Sequence, residues 1–359
     1  MHGDPLPIHG RGAAGNPANR FERIHYEPDP DAEDPDTPAP QTQLFRDAAR
    51  SIIVTNDRPD VGFEASINPY RGCENGCIYC YARPTHEYLG LSAGLDFETK
   101  IFVKEDAPAL LRRELNAKSW QPKPLGLCGV TDPYQPVESR LRLTRRCLEV
   151  LVEFRNPVMI VTKRRLVTRD LDLLQQLARH SAAKVFLSVT TLDGALARVM
   201  EPRASQPAAR LAAVREVAAA GVPVGVLVAP VIPGLTDHEI PAILEAAAAA
   251  GARFASYVLL RLPHGVADLF ERWLTQHFPE RKEKVLGRIR AVRGGNLNDG
   301  RFGTRMRGEG ALAETIRDLF ALARRKAGMS RRGPELSTAA FRRPDETPPL
   351  LFDLAGPEE

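Results

Sequence analysis

From Leu125 onward, short apolar runs alternate with longer amphipathic stretches, and this alternation restricts the fold more than any other feature of the chain. Apolar runs separated by helix-length segments build repeated β/α units around a parallel sheet. The runs predict strands over Leu125–Val130, Val158–Thr162, Lys184–Thr190, Pro223–Val231 and Arg253–Leu260. Between them the spacing predicts helices over Leu143–Phe154, Leu171–His180, Pro207–Ala220 and Glu239–Ala250. In the first of these Leu148, Leu151 and Val152 recur at helical intervals, and Gly221 sits where a left-handed residue ends the third. A further strand around Glu64–Ile67 brings the count to six units. The expected fold is therefore α/β, a partial (β/α)6 barrel of parallel strands joined by right-handed crossovers, with its chemistry at the strands' C-terminal ends.

The 359 residues are 43% hydrophobic and 6% aromatic, the composition of an ordinary globular chain with one principal domain. Residues 26–42 are rich in proline and acid and cannot offset the entropy of ordering, so they read as a linker. The expected division is a flexible N-terminal extension over 1–50, a core over 51–296, and an arginine-rich arm, helix and tail over 297–359. Charge follows this division: residues 1–60 carry 6 basic and 11 acidic side chains, and residues 301–343 carry 11 and 4. There is no apolar run long enough to cross a bilayer and no secretory leader at the start, so a cytoplasmic protein without a membrane partner is expected.

Three of the five cysteines crowd into Cys73-Glu-Asn-Gly-Cys77-Ile-Tyr-Cys80. In a reducing compartment this points to metal or redox chemistry rather than to disulfides. Gly72 and Gly76 let the backbone turn tightly enough for three thiolates to serve one centre. Three ligands leave a coordination position for a substrate or cofactor, whereas a structural site closes all four. A zinc site borrowing a distant ligand, with His86 the nearest histidine, is the alternative reading, although no second cysteine pair is present.

The CxxxCxxC spacing with Tyr79 before the last cysteine resembles the cluster loop of the radical S-adenosylmethionine superfamily. Further stretches resemble the spore photoproduct lyase and DNA repair photolyase-like subgroup, from about Asn68 to about Pro233. They are Tyr79 and Tyr81 flanking Cys80, Thr131-Asp132, Val161-Thr162-Lys163, Leu187-Ser188-Val189, Glu201-Pro202, Arg210-Leu211-Ala212 and Val228-Ala229-Pro230. The resemblance implies a [4Fe-4S] cluster on Cys73, Cys77 and Cys80 that cleaves S-adenosyl-L-methionine reductively to a 5'-deoxyadenosyl radical. It further implies cofactor contacts from Tyr79 to the adenine, Lys163 and Ser188 to the carboxylate and ribose region, Thr131 near the methionine and Ala229 beside the adenosine. A reductant such as flavodoxin or ferredoxin is the implied partner.

Each of these positions also lies near a predicted strand end, where a barrel builds its site. Lys163 as a solvated lysine, and Ser188 and Thr190 as hydroxyls satisfied by nearby backbone, are the plainer readings. The resemblance makes Cys128 the candidate catalytic hydrogen donor, since the lyase carries its donor cysteine on this strand; a spacing to the Thr-Asp pair one residue longer, which in a strand exchanges the two faces, gives the alternative of a buried bystander cysteine. Cys147 reads as helix core, Glu138 as a substrate-facing acid or a helix cap, and His264 as a loop histidine.

The C-terminal segment carries Arg301, Arg305 and Arg307 among glycines ahead of a helix over Ala311–Lys326. Such arginines suit phosphate contact, making nucleic acid a candidate partner, or they cover the open side of the barrel by pairing with carboxylates. A basic nucleic-acid-binding module with a structural metal on the three cysteines is the rival to an enzyme.

Overall fold

The computed structural model describes residues 6–22, 40–127 and 129–344. The order begins with β1 (Gln43–Arg46), β2 (Ile53–Thr55), β3 (Ala65–Ile67), β4 (Tyr70–Arg71), α1 (Leu95–Thr99), β5 (Lys100–Val103) and α2 (Ala107–Asn116). It continues with β6 (Leu125–Leu127), α3 (Glu138–Leu141), α4 (Leu143–Phe154), β7 (Val158–Thr162), α5 (Leu171–Ala178) and β8 (Ala183–Ser188). Then come α6 (Gly194–Met200), α7 (Pro207–Ala219), β9 (Val224–Val231), α8 (Ile240–Ala249) and β10 (Phe254–Leu259). The chain closes with α9 (Val266–His277), α10 (Lys282–Ala291), α11 (Thr304–Arg307) and α12 (Ala311–Lys326).

The main sheet runs β10-β9-β8-β7-β6-β3-β2. Six of these strands are parallel, as the alternating pattern requires, and β2 adds an antiparallel edge beside β3. Along β7 the residues Val158, Ile160 and Thr162 are buried while Met159 and Val161 between them are half-buried. The buried set joins Leu148 and Leu151 of α4, Leu174 of α5 and Val214 of α7 in one core, so the helices cover the outer face of the sheet. On the other face Gly225 faces Phe254, and a Cβ there would come within 2.1 Å of its ring. Helix α4 ends at Arg155 and α7 closes on Gly221, both with left-handed backbone.

Two expectations need correction. Gly129 and Val130 of the run Leu125–Val130 lie outside β6, because Gly129 takes φ +108° and turns the backbone out of the sheet. The N-terminal 50 residues are not wholly a flexible extension: residues 6–22 pack on the cysteine loop, and β1 pairs in parallel with β5 in a second sheet ordered β1-β5-β4. The first segment is held by its backbone, with the Gly12 and Ala13 amides donating to Glu98 at 3.0 and 2.9 Å. Composition registers apolar burial and not main-chain hydrogen bonds, so it marked this stretch as loose. The proposed linker falls largely on residues 23–39, outside the described residues.

The C-terminal arm covers the β10 side of the sheet. Arg305 pairs with Asp60, Arg301 with Asp299 and Glu309, and Arg307 donates to the Tyr257 carbonyl at 2.8 Å. Of the two readings of these arginines, the structure matches the one in which they pair with carboxylates and backbone. Among the described residues no helix is long and apolar enough to cross a membrane.

Candidate active site

The cysteine loop lies between β4 and the turn over Arg83–Leu89 and is clamped from three sides. The Cys73 amide donates to the Phe97 carbonyl at 2.9 Å, tying the loop to α1. Gln135 bridges it from the segment after β6, accepting from the Glu74 amide at 2.9 Å and donating to the Gly72 carbonyl at 3.1 Å. At the end of α6, the Met200 carbonyl accepts from the Ile78 amide at 3.1 Å. Gly72 and Gly76 both take positive φ, and a Cβ on Gly76 would press on Glu98 and Pro202, so the turn requires glycine there.

Cys73 is buried, Cys77 and Cys80 are half-buried, and all three are free thiols within electrostatic range of one another. Burial pushes each thiol up, Cys73 to about 12, so without a metal all three stay protonated at neutral pH. Among the described residues no three His, Cys, Asp or Glu side chains are grouped to hold one metal ion. A [4Fe-4S] group places each thiolate on a different iron, so it does not ask the three sulfurs to meet at a point. Three free thiols on one glycine-turned loop are a donor set that fits such a group. His86, the fourth ligand a zinc reading would borrow, is fully buried with Nε2 against the Lys100 carbonyl at 2.9 Å. Its ring packs edge-on to Phe97, and burial holds its pKa below the ordinary value.

Two carboxylates, Glu201 buried and Asp132 half-buried, organise the strand ends around this loop. Glu201, just after α6, accepts from the Tyr79 hydroxyl, from Thr190 Oγ1 at 2.9 Å and from the Arg210 guanidinium. Arg210, on α7, also donates to the carbonyls of Ser188 at 3.0 Å and Ser205 at 2.6 Å. Lys163, at the end of β7, lies 4.0 Å from Glu201, donates to the Ala229 carbonyl at 3.3 Å and stands 5.8 Å from the centre of the Tyr79 ring. Burial pushes Glu201 up, but Arg210 and Lys163 outweigh it and keep the carboxylate below its usual range. Tyr79 is pushed far up by burial and remains a phenol. Tyr79, Lys163, Ser188 and Ala229 thus come together. The sequence pointed to them, but not to the Glu201–Arg210 pair that gathers them, although both residues stood in the resembling stretches.

Asp132 is the second organiser. It accepts from Thr162 Oγ1 at 2.6 Å, the Lys163 amide at 2.8 Å, the Tyr134 amide at 2.9 Å and Asn75 Nδ2 at 3.0 Å. It therefore binds the end of β7 to the cysteine loop. Thr131 beside it is buried, with its hydroxyl 3.5 Å from the Tyr70 carbonyl. Cys128 lies outside the described residues. Glu138 is spent within the fold, taking the Tyr70 hydroxyl at 2.5 Å, the Thr144 amide at the start of α4 at 3.0 Å and Arg169 at 2.7 Å. It occupies neither N-cap position, which fall to Val137 in α3 and Arg142 in α4, and it braces the start of α4 from the preceding turn. Cys147 is buried in α4, and His264 is an exposed loop residue with φ +52°.

With this geometry described, comparison with known proteins bears on it directly. Residues 67–247 match the model of the Radical SAM superfamily. An uncharacterised protein of Mycobacterium tuberculosis is 39% identical over 220 residues, which is 61% of this chain and 65% of that one, so the chain spans just under two thirds of that relative. An uncharacterised protein of Methanocaldococcus jannaschii is 28% identical over 225 residues, 62% of this chain and 80% of the relative. A solved structure of spore photoproduct lyase complexed with dinucleoside spore photoproduct shares the fold, with a TM-score of 0.57 at 18% identity over 80% of each chain. The chain belongs to the Radical SAM superfamily, whose members are enzymes that work through radical chemistry on a [4Fe-4S] cluster and S-adenosylmethionine. That membership sets aside the rival binding module with a structural metal.

Proposed function

We propose that Cys73, Cys77 and Cys80 hold the cluster and leave one iron for the amino and carboxylate groups of S-adenosylmethionine. Held there, the cluster would supply one electron to the sulfonium of the bound cofactor, chemistry that yields methionine and a 5'-deoxyadenosyl radical able to take a hydrogen atom from the substrate. Lys163 offers its ammonium and Ser188 its polar edge to the carboxylate and ribose region, Tyr79 its ring to the adenine, Ala229 its backbone to the adenosine, and Thr131 its hydroxyl to the methionine side. The observation that carries this reading is the convergence of Tyr79, Lys163, Ser188 and Ala229 around Glu201 directly beside the cysteine loop. Glu201 and Asp132 act as positioning residues, because they hold strand ends and loop together without being free to bind. A flavodoxin or ferredoxin serves as the electron donor.

The test is anaerobic purification with iron and sulfide counting, followed by assay of 5'-deoxyadenosine under dithionite. The reading expects about four irons per chain and product that disappears in Cys73→Ala with the fold retained. A colourless protein carrying one zinc, or undiminished product from the variant, would overturn it.

A further inference from the structure

At the mouth of the barrel, nearly every arginine has its charge spent. Arg305 forms a two-point pair with Asp60, Arg293 is buried among the carbonyls of Leu259, Leu260, Thr304 and Arg305, and Arg307 lies along the backbone of β10. Arg261, two residues beyond the end of β10, is the exception. It is half-buried, its Nε is enclosed without a hydrogen-bond partner, and no carboxylate lies within 4.0 Å of it among the described residues. Its one side-chain contact of hydrogen-bond type is to the Met306 sulfur at 3.7 Å, a weak acceptor.

Arg305 and Arg58 lie within electrostatic range of it, while the nearby carboxylate, Asp60, is already taken by Arg305. Burying a cation against other cations is unfavourable unless an anion completes the site. The guanidinium lies 5.3 Å from the ring centre of Tyr81, the residue after Cys80, which is 49% exposed. A planar fork of donors at a strand end, lying over an exposed tyrosine beside the cysteine loop, suits a tetrahedral oxyanion.

We propose that Arg261 is the anchor for a phosphate group carried by the substrate, and that it sets the substrate over the cysteine loop. This rests on the site reading above, since it takes the strand ends around the loop as the place of reaction. The phosphate belongs either to a small phosphate ester or to a nucleic-acid strand, and the two sources offer the guanidinium the same chemistry.

The test is calorimetric titration of the anaerobic, cluster-loaded protein with inorganic phosphate, thymidine 5'-monophosphate and hexathymidylate. At least one probe is expected to bind wild-type protein, weakening about tenfold or more in Arg261→Gln. Arg261→Lys should recover only part of the loss, because a point charge replaces the fork. Arg317→Gln, on the exposed face of α12 and paired to Asp318, controls for loss of general positive charge and should bind as wild type does. Tighter binding of the mononucleotide assigns a small ester, and tighter binding of the hexamer assigns a strand. The inference is overturned if no probe binds wild-type protein, or if Arg261→Gln binds as tightly. Formation of 5'-deoxyadenosine by the wild-type protein is scored separately, so its absence counts against the site reading and leaves the phosphate result standing.

Discussion

Replacing Arg210 by leucine tests whether the buried pair with Glu201 holds the site together. In the native chain Glu201 is completely buried and Arg210 almost so, and their ionic bond is joined by Tyr79, Thr190 and two backbone carbonyls. Removing the guanidinium leaves a buried carboxylate with only two neutral donors and the Lys163 ammonium at 4.0 Å. Breaking a buried pair from one side typically costs about 3–5 kcal/mol, a large share of the ~5–15 kcal/mol that holds a domain folded. Glu201→Gln approaches the same pair from the other side. It leaves Arg210 charged against carbonyls and should cost a comparable amount. The double variant Glu201→Gln/Arg210→Leu removes both charges and should lose about 1–3 kcal/mol less than the two single losses summed, the coupling expected of groups in one network. Urea unfolding of the metal-free protein by circular dichroism, with one transition confirmed by fluorescence, measures all three. Additive losses, or a loss under about 1 kcal/mol in Arg210→Leu, would refute the reasoning.

Three more outcomes follow from particular contacts. Gly12→Ala would place a Cβ 1.8 Å from the Gly76 carbonyl oxygen, so the N-terminal segment must lift from the cysteine loop. Limited proteolysis should then cut residues 6–22 sooner than in wild type, and equal protection would count against this packing. His86 is held neutral by burial, so its folded pKa lies below the ordinary 6.5. Its contribution to stability is present above that pH and is lost as pH falls through the folded value, because the unfolded chain takes up the proton first. Denaturation of His86→Leu should therefore depend less on pH just below 6.5 than that of wild type, and parallel curves would exclude the effect. Asp60→Asn takes the charge from the carboxyl that the Arg305 hydrogen bond and charge hold below its usual range. Amide exchange over Thr304–Arg307 should speed up, and unchanged protection would show that the arm docks without this pair.

The parallel sheet was legible because strands covered by helices read as apolar runs, and five of the six predicted runs reappear within about two residues of their ends. The short sheet was not legible. All four residues of β1 are exposed, so no apolar periodicity marks them, and β4 is two residues long. Helices α9 and α10 follow the last strand and belong to no β/α unit, so the alternation does not mark them, although Val266, Leu269, Phe270, Trp273 and Leu274 form an apolar stripe at helical spacing. Around the loop, the cysteines stand out by their spacing, and the strand-end candidates by the family resemblance and their position. Glu201 and Arg210 do not, because in sequence a charged residue nine positions from another looks the same whether it is solvated or sealed in a core. Glu138 shows the converse. Its place after a strand suits a substrate-facing acid or a helix cap alike, and the fold spends it on Tyr70, Thr144 and Arg169.

The two organising carboxylates also explain why the cysteine loop can keep a fixed place over so short a length. Asp132 joins the loop to the β6 and β7 ends through Asn75, Thr162 and the Lys163 amide, while Glu201 joins it to β8 and α7 through Tyr79, Thr190 and Arg210. Lys163 belongs to both sets, since its amide meets Asp132 and its ammonium approaches Glu201. A shift at either carboxylate therefore moves the same lysine. In a buried network each bond orients the next, so partial loss costs more than the sum of its contacts. The consequence for chemistry is directional. On the proposed reading, a cofactor on the loop would meet a Lys163 that the fold already holds between Asp132 and Glu201, while at the mouth Arg261 keeps an Nε without a hydrogen-bond partner.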